Sequence, residues 1–195
     1  MTLLALKTGA IVGIVCGAVG ALILILLIAY IAISNKFSRL IALYEEAFST
    51  MDIYMKKRFD LIPNLVETVK GYAKHESETL RKVIEARSKV ANANTMGEKN
   101  NANNELSYHL RGFSKIVEQY PDLKANVNFM DLQKQLQTVE NEIANSRKYY
   151  NATIRQYNTY LTVFPSSVVG KMRKLEKQPL FEIVEEERQT VKGQF

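Results

Sequence analysis

No charged residue lies between Lys7 and Lys36, and this gap constrains the chain more than any other feature of it. Its apolar core reads Ile11-Val12, Ile14-Val15, Leu22 through Ile28 and Ile31 through Ile33. About 26 residues at 1.5 Å each make roughly 39 Å of helix, against a hydrocarbon core of ~30 Å. Such a segment spans a bilayer with some tilt. A helix also satisfies each backbone amide internally, which lipid demands. The expectation is a transmembrane helix over residues 8–34 behind a short flank, residues 1–7. A cleaved signal peptide is the rival, with Ala32 and Ser34 imitating a cleavage site. Its apolar region is normally about 7–15 residues, well short of this run. The one cysteine, Cys16, follows Ile14-Val15 rather than the small residue that precedes a lipidated cysteine. With a single cysteine, no disulfide forms within the chain.

Gly9, Gly13, Gly17 and Ala21 recur at spacing four on this segment. They line one helix face and would let a second helix approach closely, so a homo-oligomer through this face is expected. The plainer alternative is that glycine is common in membrane helices. Lys7 and the α-amino group precede the span, and Lys36 and Arg39 follow it. The balance tips towards a cell-membrane protein with its C-terminal domain in the cytoplasm.

Beyond the span, apolar residues from Phe37 through Tyr44, Phe48, Met51, Met55, Ile62 and Val69 to Tyr72 keep steps of three and four. That is one stripe on a long helix, which Pro63 should kink. A second helix is read around Leu80, Val83, Ile84 and Val90, with His75-Glu76-Ser77 marking its start. Asn94 and the asparagines at 100, 101, 103 and 104 then read as a mobile surface loop. A third helix carries Leu106, Leu110, Phe113 and Val117 and is closed by Pro121. A fourth is capped by Asn128 and runs from Phe129 to Leu161, ended by Phe164-Pro165. Ser166 should cap a short helix stopped by Gly170. The fold class is therefore all-α: a transmembrane helix, then an antiparallel four-helix bundle over residues 36–173 with long first and fourth helices. A tail, residues 174–195, packs on it.

The chemistry of catalysis is hard to find. His75 and His109 are far apart and lack HExxH or CxxC context, so no metal site is read. Glycines stand singly in the soluble part, so there is no phosphate loop, and there is no GxSxG. The expectation is no enzyme, no catalytic residue and no cofactor. The formal charge of +6 is modest, and acids interleave with bases, which argues against nucleic acid. Two polar sets stand out. Arg58, Asp60 and Asn64 surround Pro63; Asn151, Arg155 and Asn158 fall at i, i+4 and i+7 beside Tyr150 and Tyr157. They are expected to form a structural network bridging the two long helices, with Asn64 or a neighbour satisfying the carbonyl that Pro63 frees. The other reading is an enzyme or small-ligand sensor site built on Arg58, Asp60, Asn151 and Arg155.

The run from Lys57-Arg58-Phe59-Asp60-Leu61-Ile62-Pro63-Asn64 to Ala73 closely resembles the signature of the LemA family. So do Glu140 through Ile143 with Arg147-Lys148-Tyr149-Tyr150-Asn151, Tyr157-Asn158-Thr159 before Phe164-Pro165, and Gln178 through Glu182. Gly170 is followed by Lys171-Met172, where the family often has a Gly-Phe pair after Phe-Pro. The resemblance implies a bacterial, membrane-anchored helical bundle with no established enzymatic activity, and it carries over no catalytic residue. The functional expectation is a membrane scaffold or adaptor that binds other membrane or peripheral proteins and copies of itself. Direct action on the bilayer, through Lys36, Arg39, Lys56, Lys57 and Arg58, is the alternative.

Overall fold

The computed structural model describes residues 2–73 and 76–181; the side chains of residues 2–12 and of Ile116 fall outside that description. Gly9, His75 and the last part of the expected tail, residues 182–195, therefore lie outside the residues whose side chains are described. Among the described residues the chain is all-α, with six helices and no strand: α1 (Thr2–Lys70), α2 (Ser77–Asn92), α3 (Met96–Val117), α4 (Pro121–Lys124), α5 (Val127–Thr162) and α6 (Ser166–Met172). The expected transmembrane helix and first bundle helix are one element, α1; the other three expected bundle helices correspond to α2, α3 and α5, the short helix expected at Ser166 is α6, and α4 is new.

Helix α1 is unbroken through 69 residues, Pro63 included. It is the one described helix long and apolar enough to cross a membrane. Each side chain from residue 13 to residue 32 is exposed, and burial begins at Ile33 and Ser34.

The chain divides into two compact units. Unit 1 joins Met1–Leu43 to Arg155–Gln178, and unit 2 holds Tyr44–Ile154 with the described residues from Pro179 onward. In unit 1 the buried residues are Phe37, Tyr157, Ser166, Val169 and Gly170. The Phe37 ring meets Tyr157 edge-on at 6.3 Å and Tyr160 at 4.8 Å. Gly170 does not stop α6 but lies inside it. A methyl group there would stand 2.6 Å from Leu161 Cδ1 and 3.3 Å from Phe37 Cζ, so glycine is what lets α6 lie this close. Ser166 caps nothing from α6. Its hydroxyl instead donates back to the Tyr160 carbonyl at 2.6 Å, which the end of α5 leaves without a helical donor.

Unit 2 has two apolar cores. One packs Ile62, Leu65, Val66 and Val69 of α1 with residues of α2 and α3 and with Leu123 and Phe129. The other packs Ala47, Met51 and Met55 of α1 with Val139, Ile143, Tyr150 and Ile154 of α5 and with Phe181.

Three boundaries differ from the sequence expectation. The asparagine run is not a loop: it lies inside α3, and Asn103 and Asn104 are buried. A reciprocal cap starts this helix. The Glu98 backbone N–H donates to Thr95 Oγ1 at 3.2 Å, while Thr95 and Asn94 donate their N–H groups to Glu98 Oε2. Those two amides hold the Glu98 carboxyl below its usual range. Pro121 opens α4 at a position where its missing N–H costs nothing. Asn126 rather than Asn128 caps α5, its Oδ1 accepting from the Phe129 N–H at 3.0 Å.

Candidate functional site

The polar centre of unit 2 is Arg58, which has no solvent exposure. A charge in an apolar interior needs full compensation. Here α3 and α5 provide partners for both Nη atoms, while the buried Nε has none among the described residues. Arg58 Nη1 donates to Ser107 Oγ at 2.7 Å and to Glu140 Oε1 at 2.9 Å. Arg58 Nη2 donates to Asn103 Oδ1 at 2.5 Å. Asn103 is itself oriented by a bond from its Nδ2 to the Lys99 carbonyl one turn earlier. Three helices are thus joined at one guanidinium, a group whose planar fork suits several acceptors at once.

The other members of the expected network have other partners. Asp60 is exposed and pairs with Lys56. Asn64 is exposed, and it does not satisfy the carbonyl that Pro63 frees. That carbonyl belongs to Phe59, four residues back, and Arg87 of α2 reaches it with Nε at 3.0 Å. The Arg87 guanidinium also lies over the Phe59 ring at 3.8 Å. Arg155, in unit 1, is exposed.

Asn151 and Asn158 bind the backbone of the C-terminal segment. In unit 2 the Asn151 amide takes the Phe181 N–H at 2.8 Å and donates to the Phe181 carbonyl at 3.0 Å. In unit 1 Asn158 does the same for Gln178, at 2.9 and 2.8 Å. Each side-chain amide thus pairs with an extended residue as a neighbouring strand would. The phenol of Tyr157 donates to the Glu176 carbonyl at 2.9 Å, and that of Tyr150 faces the Pro179 carbonyl at 3.4 Å. Burial pushes both phenols above their usual pKa; the Tyr44 phenol adds to the rise at Tyr150, and Arg173 partly offsets it at Tyr157. Arg147 lies over the Phe181 ring at 5.3 Å. The motif around Arg147, Tyr150 and Asn151 and the Pro179-Leu180-Phe181 motif, read separately in the sequence, are two halves of one contact.

A groove of about 510 Å³ opens in unit 2 between α3 and α5. Leu110, Leu136 and Ile143 form its apolar floor, and Ser107 and Glu140, the partners of Arg58, stand in its wall beside Arg147 and Asn151. Its chemistry suits a binding surface with a greasy floor and hydrogen-bonding walls. Ser107 and Arg87 were not singled out from the sequence, Glu140 entered only as part of a family motif, and Asn103 only as part of an expected loop. A heptad-like reading of α3 that kept the asparagines helical would have placed Asn103 and Ser107 one turn apart on one face. Among the described residues no three His, Cys, Asp or Glu gather as metal ligands.

Residues 47–195 match the model of the LemA family. Over 160 residues the chain is 26% identical to Protein LemA of Metamycoplasma hominis, a similarity covering 82% of this chain and 73% of that relative.

Proposed function

The chain belongs to the LemA family, and on that premise we propose that it is a single-pass, membrane-anchored helical scaffold. It acts by binding other proteins, copies of itself included, rather than by catalysis. The continuity of α1 carries this reading. A bare apolar segment leads without interruption into residues whose inner face forms the cores, from Phe37 in unit 1 to Val69 in unit 2. A core helix of a soluble protein would be covered along its apolar stretch. A signal peptide cut after Ser34 would take with it the carbonyl that holds Arg173 at 2.8 Å. The anchor lies in the cell membrane, with the domain on the cytoplasmic side.

Self-association uses the small-residue face. Nothing lies within 4 Å of a methyl group placed on Gly13 or Gly17, which leaves that face open to a second helix. The groove above Leu110 and Ile143 offers the domain a surface for a partner's apolar side chains. Chemical crosslinking of the full chain in native membranes tests the proposal. Crosslinked dimers that disappear in Gly13→Leu/Gly17→Leu support it, and a strictly monomeric protein with no crosslinked partner counts against it. A second reading, direct sensing or shaping of the bilayer, is favoured by the concentration of positive charge in unit 1. Of the five basic residues that suggested it, Arg58 is buried and Lys56 is paired with Asp60, which leaves Lys57 exposed in unit 2 and Lys36 and Arg39 near the anchor.

A further inference from the structure

Outside the anchor, unit 1 leaves one apolar row uncovered. Phe164 is 83% exposed at the corner after α5, and Val168 and Met172, one turn apart on α6, are 50% and 67% exposed. The opposite side of α6, Ser166, Val169 and Gly170, is buried. The row is therefore the outer face of a helix whose inner face is already used. Its position is fixed by Arg173. Nη1 donates to the Ser34 carbonyl at 2.8 Å and lies 3.1 Å from Ser34 Oγ. Ser34 directly follows Ile33, the last residue of the apolar run, and Lys36 is the first charge after that run. The uncovered row thus stands where oil gives way to water.

Charge is concentrated at the same level. Residues 34–43 and 155–178 carry seven Lys or Arg and a single acid, Glu176, leaving nineteen bases and nineteen acids in the rest of the chain. The entire formal excess of +6 sits in this belt. Two such belts facing each other would repel, whereas the anionic headgroups of a membrane attract them.

We propose that Phe164, Val168 and Met172 dip into the headgroup–acyl boundary of an anionic membrane. Unit 1 is then held to one leaflet at two points, the anchor and the α5–α6 corner. The pattern, an aromatic and aliphatic face bordered by Lys and Arg, is the one that lies in membrane interfaces. The proposal rests on the reading of residues 8–34 as a retained span, and the test separates the two.

The chain has no tryptophan, so F164W and L26W each introduce a single fluorophore, both at exposed positions that leave the packing intact. Each full-length variant is reconstituted into vesicles of phosphatidylcholine and phosphatidylglycerol, with nitroxide lipids labelled near the headgroup or deep in the chains. The expected result is that deep nitroxides quench L26W. Shallow ones reduce F164W emission roughly twofold, and acrylamide in the water barely reaches it. F164W that is open to acrylamide and untouched by lipid nitroxides, while L26W is quenched, overturns the proposal and leaves the anchor standing. F164W shielded from both overturns it too, because a protein surface then covers the row. L26W untouched by deep nitroxides sinks the anchor and the proposal together. In the K171E/K174E variant, F164W quenching falls about twofold in anionic vesicles and stays unchanged in neutral ones; equal quenching in both overturns the electrostatic part.

Discussion

The two units use arginine in opposite ways. In unit 2 the charge is drawn inside: Arg58 is fully buried, and side chains from two other helices surround its guanidinium. In unit 1 the charge stays near the surface. Arg173 spends one Nη on a backbone carbonyl and a hydroxyl at the end of the apolar run. Its neighbours Lys171 and Lys174 are exposed, with Glu176 the single acid near them in sequence. The first arrangement specifies a core, since removing Arg58 would strand a carboxylate and an amide chosen to meet it. The second fixes the position of α6 and leaves positive potential outside. A single composition thus produces a nearly neutral body and a strongly basic belt.

The contrast is breakable. Arg58→Ala should cost about 3–5 kcal/mol of unfolding free energy, because one partner of a buried pair is removed and a cavity is left. Arg173→Ala should cost about 1–2 kcal/mol, the worth of part-buried charge-assisted bonds. Denaturant melts of the full chain in detergent check both, and equal losses would erase the distinction. Asn151→Leu should cost about 2 kcal/mol by stranding the N–H and carbonyl of Phe181. Limited proteolysis should then cut faster after Lys177; an unchanged cutting rate would mean that the amide clamp does not hold the segment.

Two glycines sharpen the comparison. Gly170→Ala in unit 1 should destabilise by about 1–3 kcal/mol, because the added methyl meets Leu161 and Phe37. Gly112→Ala in unit 2 meets nothing within 4 Å on an exposed helix face. It should gain up to about 1 kcal/mol from helix propensity, read as a higher Tm. The smallest effect is alkaline. Tyr157 in unit 1 and Tyr150 in unit 2 both have raised pKa values in the folded chain. Their stabilisation is complete below the pKa of an unfolded tyrosine and is lost as pH rises through the higher folded values. Stability should therefore decline above about pH 10, and Tyr150→Phe should flatten that decline in chemical melts.

Long-range periodicity made most of this fold readable. The uncharged gap, the stripe from Phe37 to Val69 and the stripe on α5 are all signals summed over many residues. Single-residue propensity misled. The asparagines at 100–104 favour turns in isolation, yet Asn103 is helical because Arg58 and the Lys99 carbonyl occupy its amide. The Thr95-Met96-Gly97-Glu98 pattern was a legible start signal for that helix. Lys56-Lys57-Arg58 looks like a basic run, and nothing local says that its third member turns inward. That depends on Glu140, Ser107 and Asn103 converging from elsewhere in the chain, which no window of sequence contains. The i, i+7 spacing of Asn151 and Asn158 was visible, but its partner was an extended backbone rather than another helix.

The account stands or falls on where residues 13–32 reside, and Cys16, the lone cysteine and exposed in the folded chain, reports on them directly. A nitroxide attached there in proteoliposomes should collide with oxygen far more readily than with a water-soluble nickel chelate, as lipid-buried labels do. Preferential collision with the nickel chelate would place the segment in water and contradict the anchor.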